Sequence, residues 1–134
     1  MLPSLAKNLE EPNLRDTGLA LQTELYGQLR AMGQEPPILD AKQILLNPRR
    51  VLGKLCALLG LPFEESMLGW QAGPRPEDGI WAKHWYQAVH RSTGFQPYAE
   101  KREAMPARLE PLLAECLPHY QRLATFMIRA DDAE

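Results

Sequence analysis

A strong excess of charge of either sign is missing from this chain: 15 Lys and Arg stand against 17 Asp and Glu, a net charge of −2. Neutralising a nucleic-acid backbone takes a clear surplus of Lys and Arg, so no nucleic-acid partner is expected. Cysteine is scarce as well. Cys56 and Cys116 both fall within apolar helical patterns, which predicts buried, reduced thiols rather than a disulfide framework. No apolar run approaches the roughly 20 residues of a membrane span, and the first residues lack the charged and long apolar regions of a signal peptide. The expectation is a cytoplasmic protein with no membrane partner. Internal repeats and low-complexity segments are lacking too. What remains is ordinary globular composition, 45% hydrophobic and 24% charged over 134 residues, enough for one core and too short for two comfortable domains.

Several chemical signatures are also missing. Nothing matches Gly-x-x-x-x-Gly-Lys-Ser/Thr, the loop whose glycines let backbone amides approach a phosphate, and the dinucleotide glycine fingerprint is absent. His84, His90 and His119 have no Cys or carboxylate companions at ligand spacing, so no metal site is expected. Ser66 and Ser92 sit in no nucleophile elbow. No catalytic residue is assigned. His84 is the tempting general base, but a helical His beside two Trp residues is more often a structural hydrogen-bonding residue.

Helical periodicity dominates the rest. Leu21, Leu25, Leu29 and Met32 recur at helical spacing between Leu14 and Met32, with Gln22, Glu24, Gln28 and Arg30 turned away, and Gly33 and the Pro36-Pro37 pair follow as stops. Pro37 to Asp40 is too short for a helix and reads as one strand of a parallel sheet. Asn47-Pro48 caps a second helix with Val51, Leu52, Leu55, Cys56, Leu58 and Leu59 on one face and Gly60 as its stop. Glu64 to Trp70 predicts a short helix, and Trp81 to His90 another. From Leu109 to Met127 one apolar stripe continues for almost five turns, with Pro118 expected to bend or divide it. Residues 131–134 should fray. The fold class is mainly α with one or two short strands; since a lone strand cannot stand alone, either the chain is essentially all helical or its sheet partners lie upstream of Met1.

The most unusual segment runs from Gly73 to Tyr86, Gly-Pro-Arg-Pro-Glu-Asp-Gly-Ile-Trp-Ala-Lys-His-Trp-Tyr. A proline-stiffened loop here joins a helix rich in aromatics, with Arg75, Lys83 and His84 nearby. Such a loop can offer amides and cations to a phosphate, while Trp81 or Trp85 offers a flat face to a base. The plainer reading makes both Trp residues core, Asp78 the helix cap and the cations solvated. Residue periodicity alone favours that plainer reading.

Ile38 to Pro48, continuing through Leu55-Cys56-Ala57-Leu58-Leu59-Gly60-Leu61-Pro62-Phe63, resembles a segment of the P-loop sulfotransferases in which a core strand leads through an Asn/Asp-Pro cap into a helix. The stretch Asp78 to Tyr86, followed by Ser92-Thr93-Gly94-Phe95, is similar to the Asp-Gly-x-Trp-Ala-x-x-Trp-Tyr and Ser-Thr-Gly-Phe runs of sulfotransferase-like proteins. The resemblance covers roughly Leu2 to Tyr98. It implies the C-terminal portion of a P-loop α/β fold: one partial domain over 1–134, its P-loop half absent, with 99–134 as a helical tail. It also implies 3′-phosphoadenosine 5′-phosphosulfate (PAPS) as cofactor, held on this side by Ser4, Arg75, Gly79, Trp81 and Lys83. Ser4 would sit where the family binds the 3′-phosphate; its alternative is a simple helix cap.

Two departures stand out. PAPS-binding members carry Lys directly after the Gly-x-Trp tryptophan, where this chain has Ala82 and then Lys83, and Arg75 is spaced differently from the family's Arg-Lys pair. They allow another phosphorylated ligand. Two function classes follow. One is a fragment of a PAPS-dependent transferase moving a sulfuryl group to a small-molecule hydroxyl or amine acceptor, inactive alone. The other is a non-catalytic helical interaction module, with self-association through the face where a sheet would pack.

Overall fold

The computed structural model describes residues 1–100 and 105–131. Among them the helices run, in order, α1 (Leu2–Leu5), α2 (Leu14–Thr17), α3 (Leu19–Ala31), α4 (Ala41–Leu46), α5 (Pro48–Leu58), α6 (Ala82–Trp85), α7 (Gln87–His90) and α8 (Glu110–Ala124), with 3₁₀ turns at Glu65–Leu68 and Ala107–Leu109. The protein is mainly helical, and its only described β pairing is two isolated bridges. No described helix is long and apolar enough to cross a membrane. The chain divides into two compact units, Met1–Asp40 with Glu100–Ile128, and Ala41–Ala99 with Arg129–Glu134.

In the first unit, the expected helix from Leu14 to Met32 is two helices. Asn13 accepts from the Arg15 and Asp16 amides, and Asp16 returns a carboxylate to the Asn13 N–H, a reciprocal cap that starts α2. Gly18, at φ 71°, then ends α2 and begins α3, because only glycine takes that left-handed turn cheaply. The break also changes which face of α3 is buried. Leu19, Thr23 and Tyr26 pack inward, whereas Leu21, Leu25 and Met32 are exposed, the reverse of the apolar stripe read from the sequence.

The inward face is held by small polar contacts as well as by packing. Thr23 Oγ1 donates to the Leu19 carbonyl at 2.9 Å and lies 3.2 Å from His119 Nδ1 on α8. Tyr26 stacks at a tilt on Phe126, ring centroids 5.2 Å apart. Leu2, Leu19, Leu109, Leu112 and Cys116 form the core, with Leu14 and Leu113 against it. α8 runs undivided through Pro118, which the sequence reading expected to bend or divide it; the lost amide is one hydrogen bond in a helix fixed by Leu112, Cys116 and Leu123.

The expected strand at Pro37–Asp40 is reduced to Ile38, which bridges Met127 in parallel and accepts from the Ile128 amide at 3.0 Å. The chain after α8 is thus its neighbour on that edge. Tyr120 donates to Asp40 at 3.3 Å beside it.

In the second unit, α5 is capped as expected: Asn47 Oδ1 accepts from the Arg50 amide at 3.1 Å, and the Leu61 amide closes the far end on the Cys56 carbonyl at 2.8 Å. Val51 and Cys56 are its buried residues. Both cysteines are free and buried, as predicted. Glu65, opening the 3₁₀ turn, forms a two-pronged ion pair with Arg49. Gln43 accepts from the Ala130 amide at 2.9 Å, and Lys42 lies over the Tyr98 ring. The fraying expected at 131–134 falls, beyond Asp131, outside the described residues.

Candidate functional site

The segment from Gly69 to Phe95 is built outward from Trp70. Gly69 and Gly94 form an antiparallel bridge, and the Trp70 amide donates to the Thr93 carbonyl at 3.0 Å. The indole N–H of Trp70 donates to Ser92 Oγ at 3.0 Å, while Phe95 meets the Trp70 ring edge-on at 5.3 Å. A Cβ on Gly94 would come within 3.1 Å of the Leu68 carbonyl oxygen, so glycine is what permits this approach. The Ser92-Thr93-Gly94-Phe95 run is therefore structural: hydroxyl, small residue and ring each meet Trp70 or its neighbours.

Within that frame, the proline-rich loop folds back on one residue. Gly73, at φ 120°, donates its amide to the His90 carbonyl at 2.7 Å. Asp78 Oδ2 accepts from the Arg75 amide at 2.9 Å and lies 2.7 Å from His90 Nε2. The Arg75 amide, and secondarily His90, hold the Asp78 carboxyl below its ordinary value. An ionised carboxylate only accepts, so the His90 ring carries its proton on Nε2 and donates it to Asp78. Asp78 is thus a loop-closing residue rather than the helix cap of the plainer sequence reading; the cap position of α6 is Trp81, with no side-chain cap.

Two four-residue helices follow, where the sequence predicts one from Trp81 to His90. Only Ala82 of α6 turns inward. Trp81 is 64% exposed and Trp85 60%, so neither is core, contrary to the reading that helical periodicity favours. In α6 the inward position is taken by the small Ala82 side chain. Lys83 and His84 are exposed, as is Arg75. Burial at Ala82 explains the displaced cation: a Lys at 82 would point inward, whereas Lys83 reaches solvent. A methyl group placed on Gly79 would meet no protein atom within 4 Å, so packing does not demand glycine there.

Of the residues singled out from the sequence, Arg75, Gly79, Trp81 and Lys83 belong to this one exposed segment. Ser4 lies in the other unit, exposed at the third position of α1, whose cap position is Met1; the simple-cap alternative for Ser4 does not hold. The Asp78–His90 pair is the feature that sequence reasoning missed. Twelve residues separate its members across a loop and two helical turns, and no spacing rule links them; the Asp directly before Gly79 was the sole visible signal.

A family model described as a sulfotransferase domain matches residues 4–127. The chain belongs to the sulfotransferase-domain family. Two curated relatives from Arabidopsis thaliana are similar to this sulfotransferase-like chain over nearly its whole length. Branched-chain-amino-acid aminotransferase-like protein 2 is 39% identical over 127 residues, 95% of this chain and 22% of that protein. Branched-chain-amino-acid aminotransferase-like protein 1 is 40% identical over 123 residues, 92% of this chain and 22% of that protein. The chain therefore spans less than a quarter of the length of the curated relatives it matches. No solved structure matches.

Proposed function

We propose that this chain is the nucleotide-facing portion of a cytoplasmic P-loop sulfotransferase-like domain, in which the exposed segment from Arg75 to Trp85 receives the adenosine-phosphate part of PAPS. The observation that carries the reading is the pairing of two uncovered Trp faces with the exposed cations Arg75 and Lys83 on a loop that is pinned from behind. An uncovered indole is a stacking surface for a base, worth about 1–3 kcal/mol per base. The bare backbone at Gly79 leaves room for a phosphate to approach between them. These residues fit a nucleotide phosphate in kind. PAPS, when bound, supplies the sulfuryl group that passes to a hydroxyl or amine acceptor.

In this proposal Trp81 orients the base, and Arg75 and Lys83 balance phosphate charge. Stabilising charge on a transferred group takes preorganised donors aimed at it. The sequence holds no P-loop motif to provide them, so the polypeptide by itself binds the nucleotide without transferring sulfate. The test is isothermal titration with adenosine 3′,5′-bisphosphate, together with a PAPS-dependent sulfation assay. The expected result is saturable binding with no product. Absence of binding at millimolar ligand, or robust sulfation by the purified chain, would overturn the proposal.

A second reading, a non-catalytic helical module that pairs with a second copy of itself, is favoured by the outward stripe Leu21, Leu25 and Met32 on α3. Sedimentation velocity decides it. A concentration-dependent dimer abolished by Leu25→Gln supports self-association, and a monodisperse monomer at high concentration rules it out.

A further inference from the structure

We infer that the Asp78–His90 pair is the positioning device of the nucleotide contact, holding Gly79, Trp81 and Lys83 in the orientation that a base and its phosphate meet. The inference rests on the nucleotide-binding reading of the preceding subsection and names a residue pair that touches no ligand itself.

His90 receives both ends of the loop. Its carbonyl accepts from the Gly73 amide at 2.7 Å and its ring donates to Asp78 at 2.7 Å. The same Asp78 oxygen accepts from the Arg75 amide, so the start of the loop and the His90 ring meet on one carboxylate oxygen. Beyond Asp78 the chain passes to Gly79, whose carbonyl accepts from the Ala82 amide at 3.0 Å to open α6. From there Tyr86 accepts from the His90 amide at 2.8 Å, and its ring stands edge-on to the His90 ring. The chain from Gly73 to His90 is thus a closed circuit: the Gly73–His90 backbone bond joins its ends, and the Asp78–His90 contact ties its middle to them.

Little else holds this circuit in shape. Helices of four residues are far below the length at which helices persist alone, and α6 and α7 bury just Ala82 between them. The Asp78–His90 hydrogen bond by contrast is largely shielded, with 22% of each side chain exposed, so water competes with it less than with a surface contact. Asp78 is covalently next to Gly79 and three residues before Trp81. A shift of its carboxylate therefore moves the backbone that carries the stacking face and the cation. A pair that merely closed a loop far from the ligand contacts would lack this direct connection.

The experiment uses the full chain with His90→Ala, His90→Gln and Asp78→Asn. Gln keeps a neutral donor within reach of Asp78, and Asn keeps an acceptor for the Arg75 amide; both serve if the Ala variant fails to fold. Amide hydrogen exchange without ligand is measured for residues 75–86, with the α5 amides as the folding control. Exchange at Arg75, Ala82 and Trp85 should rise about tenfold or more in His90→Ala, the scale of one lost charged hydrogen bond, while α5 is unchanged. The dissociation constant for adenosine 3′,5′-bisphosphate should weaken about five- to thirtyfold and recover at least in part in His90→Gln. Unchanged exchange in all three variants overturns the inference. So does raised exchange with wild-type affinity, which reduces the pair to a plain structural contact. If the wild-type chain binds no nucleotide, the binding proposal falls, and with it the positioning role; the exchange arm then shows separately whether the tie orders residues 79–86.

Discussion

Two neighbouring residues on α3 allow a sharp test of which face packs. By hydrophobic spacing Leu25 belongs to the apolar stripe, which leaves Tyr26 out; in the structure Leu25 is 52% exposed and Tyr26 9%, stacked on Phe126. A buried aromatic truncated to Ala costs about 3–5 kcal/mol. Phe126 is itself half-exposed, so Tyr26→Ala should fall at the lower end, about 3 kcal/mol including the ring pair. Leu→Ala in a core costs about 2–5 kcal/mol, and with half of the side chain already in water Leu25→Ala should cost about 1 kcal/mol or less. Helix propensity offsets little of this, since Leu and Ala are both good helix formers. Equilibrium urea unfolding followed by far-UV circular dichroism measures both. With a slope of about 2 kcal/mol per molar, Tyr26→Ala should lower the midpoint by about 1.5 M and Leu25→Ala by no more than about 0.5 M. Leu25→Ala proving the more costly of the two would refute the packing of α3 described above and restore the stripe-inward arrangement.

Trp81→Ala should leave the unfolding midpoint within about 0.5 kcal/mol of wild type, because the ring is largely in solvent, yet weaken adenosine 3′,5′-bisphosphate binding by roughly tenfold. Equal losses of stability and affinity would show that the ring is packed. Gly73→Ala should destabilise the loop by about 1–2 kcal/mol, since φ 120° is strained for any residue with a side chain; faster exchange of the Gly73-to-Gly79 amides is the readout. Acidification should loosen the same loop: the Asp78 carboxyl is held below its ordinary value of about 4, so its contribution is fully present above that pH and is lost as the pH falls through it toward the lower folded value. Tryptophan fluorescence between pH 7 and pH 2 should show this transition in wild type and not in Asp78→Asn. Arg49→Met should leave the urea midpoint essentially unchanged even though its ion pair with Glu65 has two prongs, because both partners are exposed; a clear loss would contradict that.

Local rules read well where a single residue decides the outcome. Asn47-Pro48 starts α5, and the apolar residues of α8 place Leu112, Cys116 and Leu123 inside. They fail where a partner decides. α3 has apolar residues on more than one face, and the sequence does not say that Thr23 will find His119 or Tyr26 will find Phe126, contacts about a hundred residues apart. Pro37 to Asp40 stays out of helix, as its brevity predicts, but the choice of Met127 as the neighbour of Ile38 is likewise set by tertiary packing. At the candidate site, the residue types from Arg75 to Lys83 were legible as a group because they break the usual pattern. Their exposure was not. Whether Trp81 and Trp85 are covered depends on how much chain remains to cover them, and periodicity measures only spacing. The displacement of the cation to Lys83 becomes intelligible only once Ala82 is seen to point inward.

The bridge between Gly69 and Gly94, with Trp70 and Ser92 beside it, draws the chain together at a narrow neck before and after the excursion that carries the two uncovered indoles. Such a lasso is fastened where it leaves the body. Between its two ends, residues 73–90 are exposed except at Gly73, Asp78, Ala82 and His90, so exchanges elsewhere along the rim leave the fastening around Trp70 untouched.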